Sequence, residues 1–225
     1  AWKNDKERMK LKQYIYIGGI LTTLLFASCA NRGQGPQGGP RDSIPPVVLK
    51  ETPLNGTLNF IGKEIVVQFD EYIQLDDVQK NVLISPPQQT PPEVKAIGKK
   101  LSVVFQEDLI DSTTYTLDFG PAICDYNEKI PLEGYVFSFS TGDVIDSLAI
   151  SGKLYDAATL NPMPFVIVGI HRNLSDSALS TIPFTRITRT DSEGNFIIHN
   201  IHAGTYRLYA LNDISRDYMY QPGEA

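Results

Sequence analysis

Hydrophobic and polar residues alternate with a period of two through much of the chain after residue 47. The pattern is clearest in four runs, Ile65–Phe69, Leu101–Phe105, Tyr115–Phe119 and Tyr135–Phe139. A period of two places alternate side chains on opposite faces of a strand, so one face of each run is expected to be buried. Short strands at regular spacing are typical of all-β chains. We therefore predict an all-β fold with little helix, built from face-to-face sheets.

Turn signals separate these runs. Asn55-Gly56 and Ile97–Lys100 lie between strands and predict tight turns. Tyr115 follows Leu109 after a short polar loop, which is the spacing of a tyrosine corner. In that motif the phenol bonds to the loop backbone, so we predict a structural role for Tyr115 and no catalytic one.

A second set of strands begins near Asp146. The pattern predicts a strand from Leu148 that runs into a turn by Ala157, and a nearly continuous apolar strand over Phe165–Ile170. Three further strands are predicted, at Arg186–Thr190, Phe196–Ile198 and Tyr206–Leu211. Because each small sheet must bury one face, two consecutive β-sandwich domains are expected.

The N-terminal residues follow another pattern. Residues 1–8 carry no apolar periodicity and do not begin with Met, so we interpret them as upstream sequence or a misannotated start. Two lysines then precede the apolar run Tyr14–Ser28, which is shorter than the roughly 20 residues of a membrane-spanning helix. This order predicts a signal peptide over residues 9–28.

Small residues immediately before Cys29 resemble the lipobox of bacterial lipoproteins. The resemblance implies cleavage before Cys29 and acyl chains on its sulfur and new amino group, so that the membrane is one partner. An ordinary signal peptide with Cys29 incidental is the alternative. Glycine and proline dominate residues 29–43, which we interpret as a tether. Residues 214–225 show no closing strand and are interpreted as the start of a truncated continuation.

The order of motifs along the first β-region resembles a known family. Its segments are Pro45–Val48, Thr52–Gly56, Ile65–Glu71, Thr113–Leu117 and Phe137–Gly142. Over residues 44–142 the chain is similar to the SbsA-type bacterial Ig-like domain. Together with the leader, it resembles Ig-like lipoproteins of Bacteroidetes-type outer membranes. The resemblance implies an outer-membrane location in the cell envelope, on the periplasmic or the surface face.

Residues 146–213 resemble the carboxypeptidase-regulatory-like, transthyretin-type β-sandwich, which is also close to Cna-B modules. The resemblance rests on the strand-and-turn order described above. It implies an accessory β-domain without a peptidase zinc site.

Charge and cysteine content narrow the classes of function. The formal net charge is −6, which argues against nucleic acid as a partner. Cys124 could pair with Cys29 in an exported protein, but acylation of Cys29 would leave it without a partner. We predict a small buried hydrophobe at Cys124, because the three histidines, His171, His199 and His202, all lie in the other β-region.

The sequence gives only weak signals for a metal site or for acid–base residues. The segment Asp191–Asn195 faintly resembles a calcium loop but lacks the length and final acid of one, so a hairpin turn is predicted and a cation site is the alternative. His199 and His202 do not converge in a strand context. Three acidic doublets, Asp70-Glu71, Asp76-Asp77 and Glu107-Asp108, are predicted to be solvated loop charges.

These residues predict no catalytic, cofactor-binding or metal site, and hence no enzyme. The favoured hypothesis is a lipid-anchored envelope protein that presents β-domains to envelope protein partners. A glycan- or ligand-binding protein is one alternative, for which four tyrosines, Tyr72, Tyr126, Tyr218 and Tyr220, would supply exposed rings. The other alternative is the non-catalytic N-terminal part of a longer envelope enzyme.

Overall fold

The computed structural model describes residue 12, residues 42–213 and residues 215–221. The leader, the lipidation site Cys29 and most of the tether lie outside the described residues. From Asp42 onward the chain forms one compact unit. In the described part of the chain, no helix has the length and apolarity to cross a bilayer. Below, residues 44–142 are called the first half and residues 146–213 the second half; as domain boundaries these ranges stay predictions.

The first half consists of short antiparallel strands and one helical turn. In chain order they are β1 (Val48–Thr52), β2 (Glu64–Phe69), β3 (Ile73–Leu75), α1 (Val78–Asn81), β4 (Leu83–Ser85), β5 (Glu93–Ile97), β6 (Lys100–Val104), β7 (Thr114–Asp118), β8 (Ile123–Asp125) and β9 (Val136–Ser140). They form a sheet of order β1-β2-β6-β5, a sheet of order β4-β7-β9 and the pair β3-β8.

The alternating residues of the sequence form the core of the first half. Phe69, Leu101, Phe119, Phe137 and Phe139 are fully buried in one apolar cluster. The rings of Tyr115 and Phe139 stack with centroids 5.3 Å apart, and such pairs add to the stabilisation from buried area. The predicted all-β sandwich architecture is confirmed.

The tyrosine corner is also confirmed. The backbone N–H of Ile110 donates a 2.9 Å hydrogen bond to the phenolic oxygen of Tyr115. Burial raises the pKa of the Tyr115 phenol, so the group stays neutral and serves as an anchor for the loop before β7.

The second half continues the antiparallel pattern. Its elements are β10 (Leu148–Lys153), β11 (Ile167–His171), α2 (Ala178–Thr181), β12 (Arg186–Arg189), β13 (Asn195–Ile201) and β14 (Arg207–Leu211). They form the pair β10-β13 and a sheet of order β12-β11-β14. The predicted strand over Phe165–Ile170 is wrong at its start, since Phe165 has a left-handed backbone (φ 61) and precedes β11.

The sheet that contains β11 is buried on both faces. On one face Val168 and Ile170 pack against Phe196 and Ile198 of β13. On the other face lies a cluster that includes residues of β11, β12 and β14 together with Leu83 of β4. Leu83 of the first half is therefore part of an apolar cluster of the second half. The transthyretin-type assignment of the second half stays a prediction.

Candidate interaction site at the junction of the two halves

A buried arginine joins the two halves. Arg186 begins β12 and is only 6% exposed. Its Nη1 donates to the backbone carbonyl of Ser85, at 2.9 Å, and to the carbonyl of Thr114. Burial lowers the pKa of the Arg186 guanidinium. The bonds satisfy carbonyl groups where β4 ends and β7 begins, so the first half depends on a side chain of the second.

Asp146, the first residue of the second half, partners the same arginine. One carboxylate oxygen lies 3.7 Å from Nη2 of Arg186, and the other lies 2.9 Å from Nδ1 of His202. The backbone N–H of Asp146 donates to Oγ1 of Thr114 at 3.0 Å. The start of the second half is thus fixed both to its own half and to Thr114 of the first half.

Asn200 completes the junction. It is the penultimate residue of β13, and its backbone is left-handed (φ 57). Its Oδ1 accepts hydrogen bonds from the hydroxyls of Thr116, at 2.9 Å, and Ser138, at 3.0 Å. Its Nδ2 donates to the carbonyl of Asp146 at 2.8 Å. Asparagine tolerates this backbone conformation better than most residues. Here its side chain links β7, β9 and the backbone of Asp146.

The edges of two sheets meet at the same place. The N–H of Ile187 in β12 donates to Oγ of Ser85 in β4 at 3.1 Å, while Leu83 of β4 is buried in the apolar cluster of the second half. The junction thus combines apolar packing with side-chain hydrogen bonds that cross from one half to the other. Chemically it can hold the halves in one arrangement.

Two clefts border the junction. One, of about 400 Å³, lies beside Arg186 and is lined by Thr114, Asp146, Arg172 and His202 among others. The other, of about 710 Å³, lies between α1, the loop before β9 and the turn after β12. Clefts of this size between packed units are where small ligands bind most often. The junction arginine and the clefts were not among the sites predicted from sequence.

The predicted role of Cys124 is confirmed. Its side chain is buried, and Sγ contacts the carbonyl of Pro121 at 3.4 Å. Burial raises the pKa of the thiol, which disfavours the reactive thiolate. Cys124 is therefore a packing residue of the first half.

The segment Asp191–Asn195 forms the predicted turn, but the flanking strands β12 and β13 belong to different sheets, so it is not a ladder hairpin. Oδ1 of Asp191 accepts the backbone N–H groups of Glu193 and Asn195, and Oδ2 accepts Nδ2 of Asn195. The carboxylate of Asp191 is thus already hydrogen-bonded to other residues of the same turn. Among the described residues, no group of three or more metal-binding side chains could hold an ion.

The three histidines lie in three different surroundings. His199 lines the larger cleft, whereas His202 bonds to Asp146 on the other side of the junction. His171 is fully buried in β11, and neither ring nitrogen has a hydrogen-bond partner in the described structure. Its ring lies 4.8 Å from that of Phe184.

The acidic doublets are mostly local caps and surface charges. Asp77 accepts the N–H of Lys80 and begins α1, and Asp108 forms an exposed ion pair with Lys63 at 2.7 Å. Glu71 differs from the predicted solvated charge. Burial and the neighbouring carboxylate of the buried Asp125 raise the pKa of Glu71.

The four tyrosines do not form one exposed patch. Tyr72 and Tyr126 are 61% and 62% exposed, and the N–H of Tyr126 donates to the carbonyl of Tyr72 at 3.0 Å. Tyr218 and Tyr220 were predicted wrongly, because they pack against the apolar cluster that contains Phe184.

The first half has a recognisable family. Residues 42–141 match the family described as "Bacterial Ig-like domain". The chain contains a bacterial Ig-like domain. This agrees with the Ig-like resemblance of residues 44–142. No curated protein matches the chain in sequence.

Solved structures resemble the chain only weakly. An L,D-transpeptidase from Mycobacterium smegmatis is 15% identical, with a TM-score of 0.31 over 72% of this chain and 79% of the transpeptidase chain. The N-terminal part of the bacterial S-layer protein SbsC is 15% identical, with a TM-score of 0.30 over 74% of this chain and 44% of that one. The major pilin subunit BcpA of Bacillus cereus is 12% identical, with a TM-score of 0.22 over 69% and 55%. Similarity at this level carries no functional argument.

Proposed function

We propose that this chain is a lipid-anchored protein of the cell envelope, attached to the outer membrane through Cys29. In this proposal it presents its Ig-like domain and the following β-sandwich to envelope protein partners as a non-catalytic scaffold. The observation that carries the proposal is the junction centred on Arg186.

Consecutive domains usually move relative to one another unless their interface is specific. Here a buried guanidinium, the Asn200 bridge and the shared apolar packing of Leu83 all cross the junction. Surfaces on the two halves therefore keep fixed relative positions, as a scaffold requires. A hinged pair of binding modules would not need such bonds.

An open sheet edge offers one surface for partners. Among the described strands, β10 pairs only with β13, and most of its residues are exposed. A free edge presents unpaired backbone groups to which another strand can add. β10 carries a single charged side chain, Lys153, so little charge opposes such pairing.

The anchor is tested by the intact mass of the protein expressed with its own leader. We expect cleavage before Cys29 plus the mass of acyl chains, with the acyl mass lost in Cys29→Ala. Cys124→Ala is the matched control, and it should keep the acyl chains. An unacylated protein released from the cells would contradict the anchor.

The scaffold role is tested by photo-crosslinking in intact cells. A photo-reactive side chain at Ala149, on the exposed β10 edge, should give a discrete protein adduct. The same group at the exposed Ser180 of α2 is the control and should give none. If no position on either half gave an adduct above background, the proposal of protein partners would be wrong.

A further inference from the structure

Arg189 is a cation whose guanidinium donors are free in the described structure. It ends β12 and is partly buried, yet its guanidinium makes no hydrogen bond or ion pair with any residue in the described part of the chain. Burial lowers the pKa of Arg189 and the positive charge of Arg216 acts in the same direction, whereas Tyr218 and the carboxylates of Asp213 and Asp118 raise it. A partly buried charge is most stable when its donors are hydrogen-bonded, so the free guanidinium donors favour a bound acceptor.

The guanidinium lines a small basic recess of about 160 Å³. Lys80 and Arg216 also line the recess, so three of its residues are cationic. Its acid is Asp213, whose carboxylate already accepts the backbone N–H groups of Arg216, at 2.7 Å, and Tyr218, at 3.2 Å. Nη1 of Arg216 donates to Oε1 of Gln79 at 3.1 Å. The recess is therefore electropositive, and its free guanidinium donors are those of Arg189.

Phe165 is another of the residues that line this recess. Lys80, Phe165 and Arg189 line both the recess and the adjoining cleft of about 710 Å³. The ring is 56% exposed, with Nζ of Lys80 5.3 Å from its centroid. Its left-handed backbone (φ 61) is uncommon for a bulky residue and is held by the N–H bond to the carbonyl of Thr190 at 3.1 Å. Backbone strain of this kind concentrates at binding sites.

We propose that the recess and its adjoining cleft bind an acidic carbohydrate. Its oxyanion, a carboxylate or a phosphate, binds the guanidinium of Arg189, which suits bidentate recognition of either group. The apolar face of the sugar ring packs on Phe165. This site goes beyond the scaffold role and does not depend on the lipid anchor.

The test is calorimetric titration of the full chain with tri-galacturonic acid, inorganic phosphate and the neutral trisaccharide maltotriose. We expect tri-galacturonic acid to bind and maltotriose not to bind. Arg189→Gln should weaken the binding of the acidic sugar by about 10- to 100-fold, the range expected for loss of hydrogen bonds to a charged group. Arg172→Gln, in the other cleft, is the matched control and should bind as the parent does.

The variant Phe165→Gly tests the contribution of the aromatic ring separately from that of the Arg189 charge. Glycine adopts the left-handed backbone without strain, so the variant should fold normally while binding tri-galacturonic acid more weakly; any affinity for phosphate should be unchanged. Equal binding of maltotriose, absence of tri-galacturonic acid binding, or unchanged affinity in a folded Arg189→Gln variant would each overturn the proposal. Binding of phosphate alone would overturn its assignment to a carbohydrate.

Discussion

The guanidinium of Arg186 lies 2.9 Å from the backbone carbonyl of Ser85, a residue 101 positions earlier in the chain. This bond joins β12 of the second half to β4 of the first, at the edges of two different sheets. A bond of such long sequence separation forms only when both halves are folded. Their stabilities are therefore expected to be coupled.

Replacing Arg186 with methionine should destabilise the whole unit. The carbonyls of Ser85 and Thr114 would lose a buried donor, and each unsatisfied group costs about 1–3 kcal/mol. We expect a lower urea midpoint, and a transition that separates into two steps as the halves uncouple. Circular dichroism during equilibrium unfolding measures both. Arg172→Met, an exposed arginine, is the control; equal effects of the two substitutions would show that the junction bonds contribute nothing.

Removing the phenolic oxygen of Tyr115 should weaken the first half. In Tyr115→Phe the N–H of Ile110 loses its acceptor while the aromatic packing remains, which we expect to cost about 1 kcal/mol. Tyr126→Phe removes an exposed hydroxyl and should leave the free energy of unfolding unchanged. Urea unfolding of the two variants side by side checks the difference, and a Tyr115→Phe protein as stable as the parent would refute the role of the corner.

Stability should fall in mild acid because of His171. Its ring is fully buried beside Phe184 without a hydrogen-bond partner in the described residues, and burial lowers its pKa below the ordinary value. The unfolded chain therefore binds the proton more tightly than the folded one. The stabilisation is present above about pH 6.5, the ordinary histidine value, and is lost as the pH falls below it.

The variant His171→Phe tests this assignment. It removes the titrating group and fills a site already lined by aromatic rings, so the unfolding midpoint should become less sensitive to pH between roughly pH 7 and 5. His199→Phe, at an exposed position, should keep the parental pH dependence. If both variants kept it, His171 would not be the titrating group.

Cys124 should resist alkylation in the folded protein. Burial and a raised pKa both reduce the thiolate population that reacts with iodoacetamide. In a Cys29→Ala background we expect slow labelling in buffer and rapid labelling in denaturant, read by mass spectrometry. Rapid labelling without denaturant would contradict the buried position.

Local patterns predicted the parts of this fold that depend on nearby residues. The alternation around Phe69, Leu101 and Phe137 identified strands whose inward side chains are all buried. The spacing of Leu109 and Tyr115 identified the corner, because that motif closes within a few residues. In each case the information lies within a single strand or loop.

The junction could not be predicted in this way. Arg186 and Arg189 stand in a short polar strand and look alike in the sequence, but one binds carbonyls of the first half and the other faces a recess. Their roles depend on which strand edges meet, and hence on contacts about 100 positions apart. Tyr218 and Tyr220 were predicted wrongly for a similar reason, since the cluster that they pack against includes Leu83 and Phe184, which are remote in sequence.

Leu83 has a consequence for how such proteins can diversify. It is encoded within the Ig-like region, yet its side chain completes the apolar cluster of the following sandwich. An exchange of modules by recombination at residues 143–145 would separate Leu83 and Ser85 from the strand they support. The incoming module would need an apolar surface to pack against Leu83 and a backbone donor for Ser85. The two halves are thus expected to be inherited as a pair, and substitutions at Leu83 and on β12 to be correlated across descendants.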